Sequence, residues 1–259
     1  MTQLEKALLL NSLHVPGEPL IVTNVWDAVT ARTVAAAPGV RALASASHAV
    51  SFAHGVDDGE GLTLDQALAT ARVIVDAVDI PVSIDFERGY ATDAAGVQKH
   101  VEQLIATGAV GLNLEDSSSP NQLFPREDAV ARVAAVRRAA EATGIPIVLN
   151  ARVDALVRGG NRAEAVARAN AYLAAGADVI FMLGVNNEES ISWAIEEVDG
   201  RVSVIGGPSA PPLIILAELG VSRVSFGPRT MGLTLAHLQA AATQLTALGE
   251  YPAELGFVY

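Results

Sequence analysis

The chain of 259 residues is acidic and apolar, with a formal net charge of −12, 51% hydrophobic residues and no cysteine. Its length suits a single α/β barrel, and its acidity excludes the basic surface typical of nucleic-acid binding. The lack of cysteine excludes disulfides, thiolate metal ligands and a cysteine nucleophile, and it is compatible with a cytoplasmic protein. The N-terminal segment lacks the features of a signal peptide, and no run of about 18 apolar residues predicts a membrane span.

Short β-branched runs alternate with alanine-rich windows along the chain, which predicts parallel strands joined by right-handed helical crossovers. Thr63 and Gln66 have the spacing of a capping box, and Gly108, Gly144 and Gly176 each follow a helical window where a left-handed C-cap is expected. Helices are predicted at 63–78, 93–108, 127–144, 162–176 and 234–249. Strands are predicted at 20–25, 42–47, 81–86, 110–115, 146–151, 178–183, 201–206 and 223–227.

Eight strands are the number that closes a (β/α)8 barrel of the TIM type, and we predict one such domain over residues 1–259. The alternative is an open, doubly wound sheet. That alternative is disfavoured because "NVWDAVTAR" follows the first strand, where a glycine-rich dinucleotide-binding motif would be expected.

Polar residues gather where the second to fifth strands end, which is the edge where such barrels place their chemistry. The third strand runs into "SIDFERGY", whose Asp85 and Glu87 point to the same side if the strand continues. The other strand-end polar residues are Asn24, Asp27, Ser45, Ser47, His48, Asn113, Glu115, Asp116, Asn150, Arg152 and Asp154.

Carboxylates brought this close repel one another, and a divalent cation would neutralise them. Oxygen ligands without Cys, and without His on strands 3 to 5, favour Mg²⁺ or Mn²⁺ over Zn²⁺. Arg152 beside the acids provides a planar fork for a substrate carboxylate or phosphate.

Structural roles compete with these functional ones. Asp85, Glu87 and Glu115 could instead form ion pairs with Arg88 and Arg152. The segment "EDSSSP" is typical of a turn, which favours a structural role for Asp116. Asp154 could either take part in the site or simply orient Arg152.

The positions of the histidines and lysines further restrict the possible reaction classes. His48 and His54 are expected in loops, and His14, His100 and His237 on the surface. The only lysines, Lys6 and Lys99, do not follow a predicted strand, which excludes a Schiff-base aldolase because such enzymes need a lysine in the pocket.

Five segments in order resemble the isocitrate lyase/phosphoenolpyruvate mutase superfamily over nearly the whole chain. They are "NVWDAVTAR", "GVDDGEGLT" (55–63), "SIDFERGY" (83–90), "GLNLEDS" (111–117) and "NARVDAL" (150–156). The resemblance implies a (β/α)8 barrel that makes or breaks C–C or P–C bonds beside an oxo acid, through an enolate. It also implies a dimer or tetramer formed by exchange of the eighth helix.

The same resemblance implies the site residues. Asp58, Asp85, Glu87 and Glu115 surround Mg²⁺, often through water. Ser45, Ala46 and Asp85 face the carboxylate and oxo group of the substrate, which Arg152 holds. Trp26 and Asn113 are expected to contact the substrate as well, and Arg152, Asp58 and Ser45 are the expected catalytic residues.

Three departures from the family pattern restrict the reaction. Lyases of the family carry a cysteine loop after strand 4, where this chain has "SSSPNQLFPRED". Mutases and phosphonopyruvate hydrolases carry a loop with Lys and Asn there, of which only Asn121 matches. Their histidine on strand 6 is replaced by "MLG" at 182–184.

The residues that match the family pattern are those expected to bind Mg²⁺ and an α-oxo carboxylate. They suit a Mg²⁺-dependent lyase or decarboxylase acting on a small α-oxo or hydroxy di-acid such as oxaloacetate. No general acid is needed before CO₂ leaves, and water could later protonate the enolate. The alternatives are a P–C bond enzyme and a barrel that binds an oxo acid without turnover. A phosphate-binding barrel is a further alternative, since "FGPR" (226–229) follows strand 8.

Overall fold

The computed structural model describes residues 1–119 and 121–252. Its main sheet has the order β1-β11-β10-β9-β8-β5-β4-β3-β2, and every pairing within it is parallel. The strands are β1 (Leu20–Val22), β2 (Asn24–Val25), β3 (Leu43–Ser45), β4 (Val82–Asp85), β5 (Gly111–Glu115), β8 (Val148–Val153), β9 (Val179–Met182), β10 (Val202–Ile205) and β11 (Arg223–Ser225). A separate hairpin consists of β6 (Ser117–Ser119) and β7 (Gln122–Leu123).

The two ends of this strand order, β1 and β2, are one chain segment interrupted only at Thr23. The sheet therefore closes on itself as a barrel, and the predicted (β/α)8 fold is confirmed. Each of the eight predicted strand segments contains a barrel strand, because buried parallel strands are marked by apolar runs that local sequence reveals.

The helices lie outside the barrel and cover it. They are α1 (Gln3–Ser12), α2 (Ala28–Ala35), α3 (Ser47–Ala53), α4 (Leu64–Asp76), α5 (Ala94–Ile105), α6 (Arg126–Thr143), α7 (Arg162–Ala174), α8 (Glu188–Glu197), α9 (Leu213–Glu218) and α10 (Arg229–Thr246). The capping box of Thr63 and Gln66 forms at the start of α4. Gly144 ends α6 with φ = 71°, as the predicted left-handed cap requires.

Helix α1 closes the N-terminal end of the barrel. Ala7 and Leu10 pack with Leu20, Ala44 and Val148 from the strands, all of them buried. This apolar closure leaves the opposite end, where the strands finish, as the open and polar end of the barrel. We therefore expect substrates to enter there.

His14, predicted on the surface, is instead fully buried just after α1. Its Nδ1 lies 2.8 Å from the Leu10 carbonyl oxygen. Burial, together with the positive charge of nearby Arg223, lowers the pKa of His14 to about 3. The error arose because a lone histidine between a helix and a turn gives no local sign of burial.

This burial predicts an acid-sensitive fold. Because the folded pKa lies below the usual value of 6.5, unfolding takes up a proton between about pH 3 and 6.5. Stability is complete above pH 6.5 and falls as the pH drops toward 3, by about 2 kcal/mol at pH 5. We expect urea unfolding of His14→Gln to lose about 2 kcal/mol less than wild type between pH 8 and pH 5. His237→Gln, on exposed α10, is the control, and equal losses in His14→Gln and wild type would contradict the assignment.

Candidate active site

A central cavity of about 170 Å³ opens at the C-terminal end of the barrel. Its polar side comes from β2, β3, β4, β5 and β8 and the loops that follow them. Phe181 and Leu183 make the side near β9 apolar. The lining residues are Asn24, Ser45, Ala46, Ser47, His48, Asp58, Asp85, Asn113, Arg152, Phe181, Leu183, Ile205, Ser225, Gly227 and Pro228. The structure thus brings together six of the predicted site residues: Ser45, Ala46, Asp58, Asp85, Asn113 and Arg152.

Asp85 is held by the end of strand β3 and the first residue of helix α3. Its backbone N–H donates to Ser45 Oγ at 2.8 Å, and its Oδ2 accepts from the Ser47 N–H at 3.0 Å. Asn24 Nδ2 in turn donates to the Ser45 carbonyl at 2.9 Å. Among the described residues, Oδ1 of Asp85 has no hydrogen bond. Asp85 can therefore offer one fixed carboxylate oxygen to a ligand in the central cavity.

Glu87 is buried, and both of its oxygens are engaged. Tyr90 Oη donates to Oε1 at 2.8 Å, and the Glu60 N–H donates to Oε2. The backbone of Glu87 has φ = 47°, a conformation rare for residues other than glycine, so the segment is strained into this arrangement. Burial, with a smaller contribution from the charge of Asp85, raises the pKa of Glu87 to about 7, while the hydrogen bonds from Tyr90 and the Glu60 N–H act in the opposite direction.

Arg152 lies between two acids. Its Nη1 is 2.8 Å from Glu115 Oε2, while Nε and Nη2 donate to the two oxygens of Asp154 at 2.6 and 3.0 Å. Burial raises the pKa of Glu115 to about 8, with Arg152 acting in the opposite direction. Of the two roles considered for Asp154, the structure shows the orienting one. Glu115 therefore forms the ion pair with Arg152 that was the structural alternative to metal binding. Arg88 pairs instead with Glu60, and not with Asp85 or Glu87.

Asp116 lies behind the cavity wall and does not line the central cavity. It accepts hydrogen bonds from Tyr172 Oη at 2.7 Å and from the Asp154 N–H at 2.8 Å, and it pairs with Arg168 at 3.3 Å. Its structural role therefore lies in a buried network that supports Asp154, which differs from the predicted turn.

Asp58 reaches the rim of the central cavity from the loop before α4. Its Oδ2 is 3.7 Å from Nδ1 of His48. His48 lies in helix α3 and not in a loop as expected, and His54 caps the same helix. On the opposite side, Asn150 Nδ2 donates to Asn113 Oδ1 at 2.8 Å, which leaves the amide N–H groups of Asn113 for the cavity.

Trp26 does not line the central cavity. It packs against Ala46, Ala49 and Met231 and lines a separate groove of about 320 Å³. We call this the apolar groove; its other lining residues are Asp27, His54, Gln66, Ala69, Thr70 and Val73. Asp27 caps α2 through a hydrogen bond to the Thr30 N–H. The first-strand segment thus continues away from the cavity after Asn24.

Sequence reasoning missed Glu60 and Tyr90, which fix Glu87. Besides the bonds to Glu87, Oε1 of Glu60 accepts from the Tyr90 N–H at 2.7 Å. Tyr90 is the last residue of "SIDFERGY", only three residues after Glu87, and this short spacing could have indicated a contact between the two side chains. Nothing local distinguishes Glu60 from its acidic neighbours. Arg229, from "FGPR", donates to the Gly206 carbonyl at 2.9 Å and does not line the cavity.

The carboxylates of the site suit a hard cation that keeps part of its water shell better than one bound entirely by protein ligands. Within residues 1–119 and 121–252, no group of three His, Asp or Glu converges closely enough to hold a metal directly. Asp85 nevertheless presents a carboxylate oxygen without a hydrogen bond, and burial raises the pKa values of Glu87 and Glu115, an effect that a bound cation would oppose. Mg²⁺, which keeps several waters, suits this arrangement.

Residues 10–246 match the family model described as phosphoenolpyruvate phosphomutase. The chain belongs to this family, within the isocitrate lyase/phosphoenolpyruvate mutase superfamily. The resemblance inferred from five short segments is thereby confirmed, and named members of the superfamily are enzymes, both lyases and mutases.

Three relatives in this superfamily illustrate the range of reactions. Uncharacterized protein Rv1998c of Mycobacterium tuberculosis H37Rv is 31% identical over 90% of this chain and 87% of its own. Phosphoenolpyruvate phosphomutase of Streptomyces hygroscopicus is 29% identical over 88% and 75%. An oxaloacetate decarboxylase of Rhodopseudomonas palustris BisB5 is 30% identical over 75% and 68%.

Solved structures of the phosphoenolpyruvate phosphomutase type share the fold. A candidate phosphonomutase from Burkholderia cenocepacia J2315 has a TM-score of 0.88 and 36% identity, over 93% of this chain and 99% of that one. Phosphonopyruvate hydrolase in complex with oxalate and Mg²⁺ has a TM-score of 0.84 and 25% identity, over 100% and 93%. No helix in the described part of this family member is long and apolar enough to cross a membrane.

Proposed function

We propose that this protein is a Mg²⁺-dependent lyase or decarboxylase that acts on a small α-oxo or hydroxy di-acid, such as oxaloacetate. The observation that carries the proposal is one cavity in which a carboxylate with a free oxygen, Asp85, and a preoriented guanidinium, Arg152, both face the ligand space. An α-oxo acid needs these two features, a metal-side oxygen ligand and a cation for its carboxylate.

Asp85 would hold Mg²⁺ directly, with Asp58, Glu87 and Glu115 acting through water. Both oxygens of Glu87 and one oxygen of Glu115 are already engaged, and Asp58 lies 3.7 Å from His48. When bound, the cation supplies a Lewis acid that stabilises negative charge on the oxo oxygen of the substrate. The relative solved with oxalate and Mg²⁺ supports this choice of metal.

Arg152 binds and orients the substrate carboxylate. A guanidinium has five N–H donors, and the ion pairs with Glu115 and Asp154 use three of them. The other two remain for the substrate, and Asp154 prevents the fork from rotating. Asn113 adds amide N–H groups on the same side. When the C–C bond to the departing carboxylate breaks, its electrons move toward the oxo group, and water supplies the proton that the carbon then needs.

A turnover screen tests the proposal. Oxaloacetate, phosphonopyruvate and 2-methylisocitrate are incubated with Mg²⁺ or with EDTA, while pyruvate is read by a coupled dehydrogenase and phosphate release is followed in parallel. Metal-dependent pyruvate from oxaloacetate supports the decarboxylase. Oxalate that fails to bind in the presence of Mg²⁺ would count against any oxo-acid site.

The second candidate is a P–C bond enzyme, which the matching family model and the phosphomutase relative favour. Phosphate released from phosphonopyruvate would establish it. Tight oxo-acid binding without turnover across the whole panel would instead indicate a binding protein that has lost catalysis.

We further propose that the protein is a homo-oligomer, a dimer or tetramer built by exchange of α10. The only described buried residue of this 18-residue helix is Met231, while Leu233 and Leu238 are 74% and 63% exposed. Exposed Leu235 and Leu245, three residues before and seven after Leu238, lie on the same side of the helix as Leu238, and this apolar face requires a cover.

The apolar groove is lined by Asp27 and His54, the capping residues of α2 and α3, and these helices also expose Val29 and Phe52. This groove offers a matching surface on a second copy.

The double variant Leu233→Glu/Leu238→Glu is therefore expected to be monomeric, because two charges cannot be buried against an apolar surface. Light scattering after gel filtration measures the mass in solution. Gln239→Glu adds charge at an exposed polar position of the same helix and should remain oligomeric. A wild-type protein that is already monomeric would refute the exchange.

A further inference from the structure

A second cavity of about 180 Å³ adjoins the central cavity and shares Ser47, Asp58 and Arg152 with it. It is strongly polar and contains three arginines as well as three of the four acids assigned to the metal, all except Asp85. Its remaining lining residues are Gly59, Glu87, Arg88, Glu115, Ser117, Ser119 and Arg158. A ligand in the central cavity could therefore extend past Arg152 into this space.

Two of the three arginines are already committed. Arg88 pairs with Glu60 at 3.1 Å and donates to the carbonyls of Gly59 and Ser118 at 2.9 and 3.2 Å. Arg152 is held by Glu115 and Asp154, and its remaining donors serve the central cavity. Both guanidinium groups are thus paired with acids of the protein.

Arg158 is the exception. It lies in the 3-10 helix Ala155–Arg158 after β8, and its Nε donates to Ser117 Oγ at 3.1 Å. Its nearest acid is Asp154, at 4.0 Å, whose two oxygens are already taken by Arg152 and by Ser117 Oγ. No hydrogen bond from either terminal nitrogen of Arg158 occurs among the described residues. The hairpin and Asp154 thus orient the guanidinium, and its terminal N–H groups remain available to a ligand.

The hairpin strand β6 supplies a second donor. Ser117 positions Arg158, while Ser119, whose backbone pairs with Gln122 in the hairpin, lines the cavity, and its hydroxyl has no hydrogen-bond partner among the described residues. The acids of the same cavity have other contacts: Glu87 with Glu60 and Tyr90, and Glu115 with Arg152. Arg158 and Ser119 therefore form the end of the cavity that suits an anion.

We propose that the second cavity is a subsite for a distal acidic group of the substrate, bound by Arg158 and Ser119. This inference rests on the proposed function, in which the α-oxo carboxylate lies in the central cavity. A carboxylate held by an arginine is stabilised as an anion, so the group bound here is not lost as CO₂. For a di-acid bound at both ends, the bond that breaks is therefore a C–C bond of the chain beside the oxo-acid part, which is the lyase form of the proposed reaction. Within the proposed function, the subsite favours acids longer than oxaloacetate.

Ligand titration with matched pairs tests the subsite in the presence of Mg²⁺. 2-Oxoglutarate is compared with 2-oxopentanoate, and 2-oxoadipate with 2-oxohexanoate, so that each pair differs only in the charge of the tail. Wild type should bind the acidic tail of at least one pair about 10-fold more tightly. Arg158→Gln should remove this preference, while Arg162→Gln, an exposed arginine on α7, should keep it.

Oxalate has no tail and is expected to bind in the central cavity alone. Its affinity therefore distinguishes a failure of the subsite from a failure of the proposed function. Unchanged oxalate affinity in Arg158→Gln shows that the variant is folded and that its loss is confined to the tail. If wild type binds oxalate but shows no preference in either pair, or if Arg158→Gln keeps the preference, the subsite is wrong while the proposed function stands. If wild type does not bind oxalate, both the proposed function and the subsite fail.

Discussion

Asp85→Asn is expected to abolish Mg²⁺-dependent turnover, with kcat/KM reduced by about 10³-fold or more. Asp85 lines the central cavity with one carboxylate oxygen that has no hydrogen bond among the described residues, and the amide replaces a charged metal ligand with a neutral one. The fold should survive, since an asparagine oxygen can still accept the hydrogen bond from the Ser47 N–H.

Two measurements accompany the activity assay for Asp85→Asn. Calorimetric titration with Mg²⁺ should show lost binding in the variant, and thermal unfolding should show an intact structure. Asp57→Asn is the matched control, because Asp57 is an exposed acid of the nearby loop that lines neither cavity. Near-full activity in Asp85→Asn would show that the metal has been assigned to the wrong residue.

The second large effect is expected for Arg152→Lys, which should lower kcat/KM by about 10²- to 10³-fold. A lysine carries the same charge but only three donors from one nitrogen, so it cannot bond Asp154, Glu115 and the substrate at once. Oxalate affinity should fall together with turnover, since both depend on the guanidinium fork.

Comparison with Arg152→Met distinguishes the contribution of Arg152 to stability from its contribution to activity. Removing the cation leaves Asp154, which is fully buried, without its main partner, and we expect a loss of about 3–5 kcal/mol in the free energy of unfolding. Arg152→Lys should lose much less stability. Arg162→Lys controls for the substitution itself at an exposed arginine. An unchanged kcat/KM in Arg152→Lys would remove Arg152 from the site.

Local sequence was sufficient for the architecture. Apolar runs separated by amphipathic windows mark buried parallel strands and their covering helices, whatever the rest of the chain does. Capping residues such as Thr63 and Gly144 act within a few residues, so they too could be recognised. The same logic identified Asp85, Glu115 and Arg152, because residues at the ends of parallel strands must meet at one edge of the barrel.

Pairing between these residues was decided by the tertiary structure. That Arg152 bonds Asp154 and Glu115, or that Glu60 and Tyr90 saturate Glu87, depends on strand register and on loops distant in sequence. The burial of His14 and the displacement of Trp26 into the apolar groove are likewise long-range effects of packing. Periodicity within a segment predicts that the segment will have a buried face, but the neighbour that covers that face is set by the closed barrel.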